Sequence, residues 1–157
     1  MTVRRAEDKD AEQVLRLLRQ VNRVHHDLRP DLFNLASKYT AEELHAIFTD
    51  EGKRVFVCEE RGTVLGYIFT ILYDHSGDNM LVPIKEMYID DLCVDEAARG
   101  KGVATELYKH AVAYARETGC HNVTLNVWEG NSVALAFYEK MGMKPQKTKL
   151  ETILDNA

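Results

Sequence analysis

The sequence predicts a single domain of the α/β (α+β) class over residues 1–157, a mixed central sheet covered by helices. Three observations lead there. Apolar residues switch along the chain between a helical period and strand-like alternation, in the order βααβββαβαβ. Helices in such a series have to bury their apolar stripe on a sheet. Apolar residues fill 45% of 157 positions and only three are proline, which suffices for one packed core. No repeat, linker or low-complexity segment interrupts the order, and it does not by itself say how the strands neighbour one another in space.

Each element has its own signal. Thr2 to Arg4 reads as a short strand. Asp8 or Asp10 can cap a helix whose stripe is Val14, Leu15, Leu18 and Val21. That helix fades near His25-His26-Asp27. Pro30 stops it and opens a short segment at Asp31-Leu32-Phe33. Thr40 and Glu43 mark the cap of a second helix through Phe48, ended by Asp50-Glu51-Gly52. The period then changes to two. Arg54 to Glu59 and Val64 to Tyr73 form a hairpin around Arg61-Gly62. A polar loop, Asp74 to Asn79, leads into a long strand from Ile84 to Val94, broken by Asp90-Asp91. A helix with Val103, Leu107, Ala111 and Tyr114 on one face runs to Thr118 and stops at Gly119. Val123 to Val127 is the next strand, Asn131 caps a helix that ends at Gly142, and Lys144 to Leu154 is a last strand candidate.

Composition excludes several function classes. A net charge of -5 argues against broad nucleic-acid binding. Cys58, Cys93 and Cys120 are odd in number and lack C-x-x-C spacing, so neither a disulfide framework nor a zinc site is expected, and no metal is assigned. The longest apolar run, Val64 to Leu72, contains Gly66 and is too short to cross a bilayer. No leader is expected before Arg4-Arg5, because a charged, periodic helix follows at once. These features together predict a cytoplasmic protein without membrane or nucleic-acid partners.

The chemistry concentrates at Arg99-Gly100-Lys101-Gly102-Val103-Ala104. The stretch follows the apolar strand Leu92-Cys93-Val94 and opens a helix. Two glycines in three positions let the backbone turn tightly beside a ligand, and a helix start offers unpaired amides at the positive end of a dipole. Such a place suits phosphate. A Walker loop needs four residues between its first glycine and Gly-Lys-Ser/Thr, which this stretch lacks. A dinucleotide loop needs a third glycine where Thr105 stands, early in a βαβ unit. A plain capping turn leaves unexplained why Arg99 and Lys101 flank amides that already attract anions.

About thirty residues later come Asn131, Ala134 and Phe137-Tyr138-Glu139-Lys140-Met141-Gly142-Met143. With these two motifs the chain resembles the GNAT acyltransferases, the Gcn5-related N-acetyltransferases. Arg99-x-x-Gly102-x-Ala104 fits that family's R/Q-x-x-G-x-G/A signature, and the second stretch its closing N-x-x-A-x-x-F-Y helix, with Met143 in place of the usual aromatic. The resemblance extends over nearly the whole chain and implies the GNAT fold, with helices on both faces of the sheet. It implies acetyl coenzyme A as cosubstrate, its pyrophosphate against the amides of Gly100 through Thr105, including Lys101, Gly102, Val103 and Ala104, with Arg99 adding charge. It places the pantetheine arm along Leu92, Cys93 and Val94, beside a bulge that the broken alternation locates at Asp90-Asp91. An amide near Leu92 would polarise the thioester carbonyl. Asn131 would contact the coenzyme, besides serving as a helix cap.

Tyr138 is the implied proton donor to the departing thiolate, and its alternative is a buried aromatic beside Phe137. The base is harder to assign. Family members carry a glutamate or histidine eleven residues before the motif, which is Tyr88 here, and a second histidine nine before, which is Asp90. Asp90 is therefore the candidate base, with Glu86 and Tyr88 on the same strand face and Asp91 opposite unless the bulge resets the alternation. Val24 to Phe33, with His25, His26, Arg29 and two aspartates, is a candidate acceptor wall. Asp74, His75 and Asp78 form a second, and Trp128-Glu129 a third. The expected reaction is direct transfer from acetyl coenzyme A to a primary amine, rather than relay through Cys93. A small amine, polyamine or aminoglycoside-like acceptor comes first and a protein α-amine or lysine second. A non-catalytic acetyl coenzyme A sensor is the alternative of another class. Homodimers are common in the family, although no sequence feature marks a dimer face.

Overall fold

Val55 and Val57 point to one side of a strand and Phe56 and Cys58 to the other, and this alternation builds a sheet buried on both faces. The computed structural model describes residues 1–154. Its elements are β1 (Thr2–Arg5), α1 (Ala11–Leu28), α2 (Ala41–Thr49), β2 (Lys53–Glu60), β3 (Thr63–Asp74), β4 (Lys85–Val94), α3 (Val103–Glu117), β5 (Asn122–Leu125) and α4 (Ser132–Lys140). The strands lie in chain order, β1-β2-β3-β4-β5. The first three junctions are antiparallel, and β5 joins β4 in parallel after the α3 crossover. The sheet is therefore mixed, as predicted.

The described chain forms two compact units. Met1–Asn126 holds the sheet with α1, α2 and α3, and the second unit begins at Val127 and carries α4. In the first unit, α1 and α2 bury Val14, Leu17, Leu18, Leu44 and Phe48 against one sheet face, where Val57, Tyr67, Phe69 and Cys93 meet them. On the other face α3 buries Val103, Leu107, Ala111 and Ala115 against Phe56, Ile68, Met87 and Ile89. Helices thus cover both faces.

Three expectations are corrected. Neither Asp8 nor Asp10 caps α1 with its side chain. Asp10 sits in a short 3-10 turn instead, where its carboxylate accepts the Glu7 N–H at 2.8 Å and two bonds from the Arg4 guanidinium. The short segment at Asp31-Leu32-Phe33 lies in a turn in which Leu32 and Phe33 both donate to the Arg29 carbonyl. β5 ends at Leu125, two residues early. Lys144 to Leu154 forms no strand among the described residues. Pro145 and three lysines fill its first half and leave only Leu150, Ile153 and Leu154 as apolar positions, a composition that gives a strand little to bury.

Candidate active site

The glycine loop adopts the conformation its composition demands. Gly100 and Gly102 have φ of 79° and 81°, left-handed values that a side chain would oppose, and a Cβ at either position would meet nothing within 4 Å. The loop is thus open as well as tightly turned. Gly102 is the N-cap of α3, and its carbonyl accepts the first helical bond from the Glu106 N–H at 3.1 Å. Val103, Ala104 and Thr105 precede that bond, the positions a helix leaves without an internal acceptor. Arg99 and Lys101 are exposed beside them. Deeper in, Gly66 lets α3 approach the sheet: a Cβ there would lie 2.7 Å from the Cys93 carbonyl oxygen and 3.0 Å from Val103.

β4 carries the second part of the site. Its ladder with β5 stops at Ile89 and Leu125. Leu92, Cys93 and Val94 pair only on their other side, with Ile68, Tyr67 and Gly66 of β3. The β3 register steps from Phe69–Asp91 to Thr70–Ile89, so Asp90 is the extra residue of a bulge. The bulge lies where the broken alternation put it, and it does reset the alternation. Met87 and Ile89 face α3, whereas Cys93 faces α1 and α2. Asp90 and Asp91 consequently both turn to the α1–α2 side.

The two carboxylates have different surroundings. Asp90 is partly exposed and accepts two bonds on Oδ2, from Lys38 Nζ at 3.0 Å and Tyr39 Oη at 2.9 Å. Asp91 is buried and accepts the Tyr67 hydroxyl at 2.7 Å. Burial pushes the Asp91 carboxyl up to about 6, against the opposing pull of the Tyr67 bond. Tyr39 and Tyr67 are raised above the usual phenol range, mainly by burial. Farther along the same strand, Tyr88 accepts from Asn126 Nδ2 at 3.0 Å, and burial raises it as well. Glu86 holds His75 Nε2 at 2.8 Å and accepts from the Thr124 hydroxyl. The Tyr73 ring stands 6.2 Å from Tyr88 and 6.4 Å from His75.

The link between α1 and α2 reaches this face, though through other residues than those singled out from sequence. Arg29 and Asp31 pair with each other, and His26 Nδ1 lies 2.6 Å from the Phe33 carbonyl oxygen. His25 is half-buried against Phe33, and burial and the nearby Lys38 charge lower it. Lys38 and Tyr39 make the contact with β4. Neither stood out in sequence, because each meets Asp90 across more than fifty positions and no local pattern encodes that. Cys93 is buried, and its thiol is pushed up to about 12 by that burial.

Asn131 and Tyr138 belong to the second unit. Asn131 Oδ1 accepts from the Ala134 N–H at 3.3 Å, the capping role that the sequence allowed for it. Tyr138 lies in the last turn of α4, its ring edge-on to Phe137 at 5.1 Å between centroids. Among the described residues no three His, Cys, Asp or Glu side chains gather as a metal set, and no helix is long and apolar enough to cross a membrane.

Comparison with known proteins bears on this arrangement. The BH1408 protein from Bacillus halodurans, as a tetramutant, superposes with a TM-score of 0.93 at 29% identity, covering 98% of this chain and all of that one. The peptidyl-lysine N-acetyltransferase YjaB of Salmonella typhimurium is 27% identical over 146 residues, 92% of this chain and 83% of that protein. Mycothiol acetyltransferase of Amycolatopsis mediterranei is 31% identical over 112 residues, 71% of this chain. The chain spans only 25%, 36% and 43% of the length of three longer curated relatives, mycothiol acetyltransferase among them. A model of the acetyltransferase (GNAT) family matches residues 21–143, a span that takes in the bulged strand, the glycine loop and the Asn131–Met143 motif. A mixed sheet that stops pairing at a bulge, a helix opened by two left-handed glycines, and a family match across both lead to one conclusion: the chain belongs to the GNAT acetyltransferase family.

Proposed function

We propose that this protein transfers an acetyl group from acetyl coenzyme A to a primary amine while both are bound, with a small amine, polyamine or aminoglycoside-like compound as the favoured acceptor. The observation that carries the reading is the end of β4, where a bulge at Asp90, a strand edge without a β5 partner and an open glycine loop follow one another within sixteen residues, from Asp90 to Thr105. The residues fit a ligand with a diphosphate and an amide-bearing arm. The loop amides from Gly100 to Thr105 would hold the diphosphate, with Arg99 and Lys101 adding a screened attraction. The main chain of Leu92, Cys93 and Val94 would pair with the arm and polarise the carbonyl. Asn131 would add a contact from the start of α4.

When bound, acetyl coenzyme A would supply an activated acyl carbon and a thiolate leaving group of pKa ~8.5. Tyr138 would donate the proton that leaving group needs, a role supported by its place in the family motif. Asp90 would accept the amine's proton, directly or through water. A lysine-like amine of pKa ~10.4 is neutral in about one molecule in 2500 at pH 7, so a base or desolvation must offset roughly 4–5 kcal/mol. Cys93 is unsuited to carry the acyl group, because its burial keeps the thiol protonated. A protein lysine or α-amine is the second reading, favoured by the likeness to YjaB over 83% of that protein's length. Residence in the cytoplasm is part of the proposal.

A screen of amines and lysine peptides with acetyl coenzyme A, read by free-thiol release, tests the reading. Tyr138→Phe is expected to lose about 100-fold in kcat and keep the coenzyme affinity. Unchanged turnover in that variant removes Tyr138 as donor. Binding without turnover of any amine favours the sensor, and absence of binding ends the assignment.

A further inference from the structure

The contact between Lys38 and Asp90 is unusual in its placing. Asp90 is the extra residue of the β4 bulge, beside the strand end that the proposed reaction uses. Lys38 lies in the irregular link between α1 and α2, and its side chain is 39% exposed while that of Asp90 is 17% exposed. The lysine Nζ sits 3.0 Å from Asp90 Oδ2 and 5.6 Å from the centre of the Tyr39 ring. The Tyr39 hydroxyl donates to the same Oδ2 at 2.9 Å, and its ring stacks on Phe69 at 5.6 Å. A primary ammonium is thus already held between a carboxylate and an aromatic face. That pair of partners is what recognises an alkylammonium ion.

The two halves of this seat are anchored differently. Asp90 is fixed by the bulge and by Tyr39, whose ring is packed into the core beside Phe69. Buried Asp91 lies next to it and adds a second carboxylate. Lys38 is held by its own long chain, by the Tyr39 ring face and by an ion pair whose lysine end is open to water. Exposed ion pairs of this kind are worth little, so the lysine leaves Asp90 for an appreciable fraction of the time. An exogenous ammonium can then take its place.

We infer that Lys38 is an internal occupant of the acceptor's ammonium seat on Asp90, so that the acceptor is a cationic primary amine that binds by displacing Lys38. The inference rests on the function proposed above and names its substrate class by charge. Lys38 is a specificity-determining residue in this account. It admits amines that compete with a tethered ammonium for Asp90, and it leaves neutral hydroxyl compounds without that seat.

The test is equilibrium binding, which does not need turnover. The probe is 1,4-diaminobutane, with 1,4-butanediol as the neutral control, titrated calorimetrically into the wild type, Lys38→Met, Lys38→Arg and Asp90→Asn. Lys38→Met is expected to bind the diamine about two- to sixfold more tightly than the wild type, the gain that follows from vacating a seat held by an exposed ion pair. Lys38→Arg should restore wild-type affinity, Asp90→Asn should abolish the gain when combined with Lys38→Met, and the diol should show no difference. In the wild type, nitrogen-detected NMR of the lysine ammonium should show the Lys38 signal moving toward a solvated lysine as diamine is added. A Lys38→Met protein that binds the diamine no more tightly, or a Lys38 signal indifferent to it, overturns the inference. Thermal melts of the variants guard against misfolding. Acetyl coenzyme A titrated separately distinguishes the two failures: coenzyme binding with no Lys38 effect sinks this inference alone, and no coenzyme binding sinks the proposed function.

Discussion

Asp91 shows how much a single residue's surroundings matter. Its carboxyl is buried, and burial raises it to about 6 despite the Tyr67 hydroxyl bond, against about 3.9 in the unfolded chain. A raised acid favours folding while it is protonated, and that advantage is lost as pH rises through the folded value. The wild type should therefore gain about 2–3 kcal/mol relative to Asp91→Asn between pH 7.5 and pH 4, measured by denaturant unfolding of both proteins. Equal pH profiles would mean that Asp91 is not titrating in the core. The family resemblance implied a bulge, and the two aspartates that interrupt an apolar strand located it. The sequence did not disclose that both would face the same side. That depends on which of them is the extra residue, and cross-strand register decides it. The same limit hid Lys38 and Tyr39, which reach β4 only through the tertiary fold.

At the scale of elements, the approach of α3 to the sheet sets the glycine loop in place. Gly66 is a point of close approach, and an added methyl would meet a backbone oxygen at 2.7 Å and the side chains of Val103 and Leu107 at 3.0 and 3.2 Å. The oxygen belongs to the backbone of β4, so it cannot yield cheaply. Gly66→Ala is expected to destabilise the protein by about 1–3 kcal/mol, seen in chemical unfolding, and to weaken coenzyme affinity because the loop moves with the helix. In sequence, Gly66 showed only as a break in an apolar run. The helices and strands were more legible, because caps and turns are local: Thr40 accepts from the Glu43 N–H, and Arg61 and Gly62 both take the positive φ that a two-residue hairpin turn requires. The segment after Gly142 was misread as a strand because alternation without a partner strand does not make a ladder.

On the scale of the molecule, ion pairs join distant parts of the first unit. The Arg4 guanidinium on β1 holds Asp10 at 2.8 Å and Glu59 of β2 at 2.7 Å, and Arg16 of α1 holds Asp95, just past β4, at 2.7 Å. Burial alone would raise the Asp10 carboxyl, but Arg4 and the Glu7 N–H hold it below its ordinary range. A lowered acid contributes stability above its unfolded pKa and loses it as pH falls through the folded value. Arg4→Met should therefore cost about 3 kcal/mol at pH 7, since it leaves the buried Asp10 charge uncompensated. The difference from the wild type should shrink below pH 3, and a difference independent of pH would assign the loss to packing alone. The order of elements was readable from the chain because each follows from its own period. The order of strands was not, since nothing local says that β5 returns beside β4.

The surplus residue at position 90 has a meaning for how this protein can vary. Upstream of it, odd-numbered positions of the strand look toward α3; downstream, even-numbered ones do. Losing one amino acid there would act as a reading-frame error in space. Either Glu86 and Tyr88 would be driven into oil while Met87 and Ile89 met water, or the distal half of the strand would be inverted instead. Insertions and deletions should be purged from this short stretch far more strictly than substitutions are.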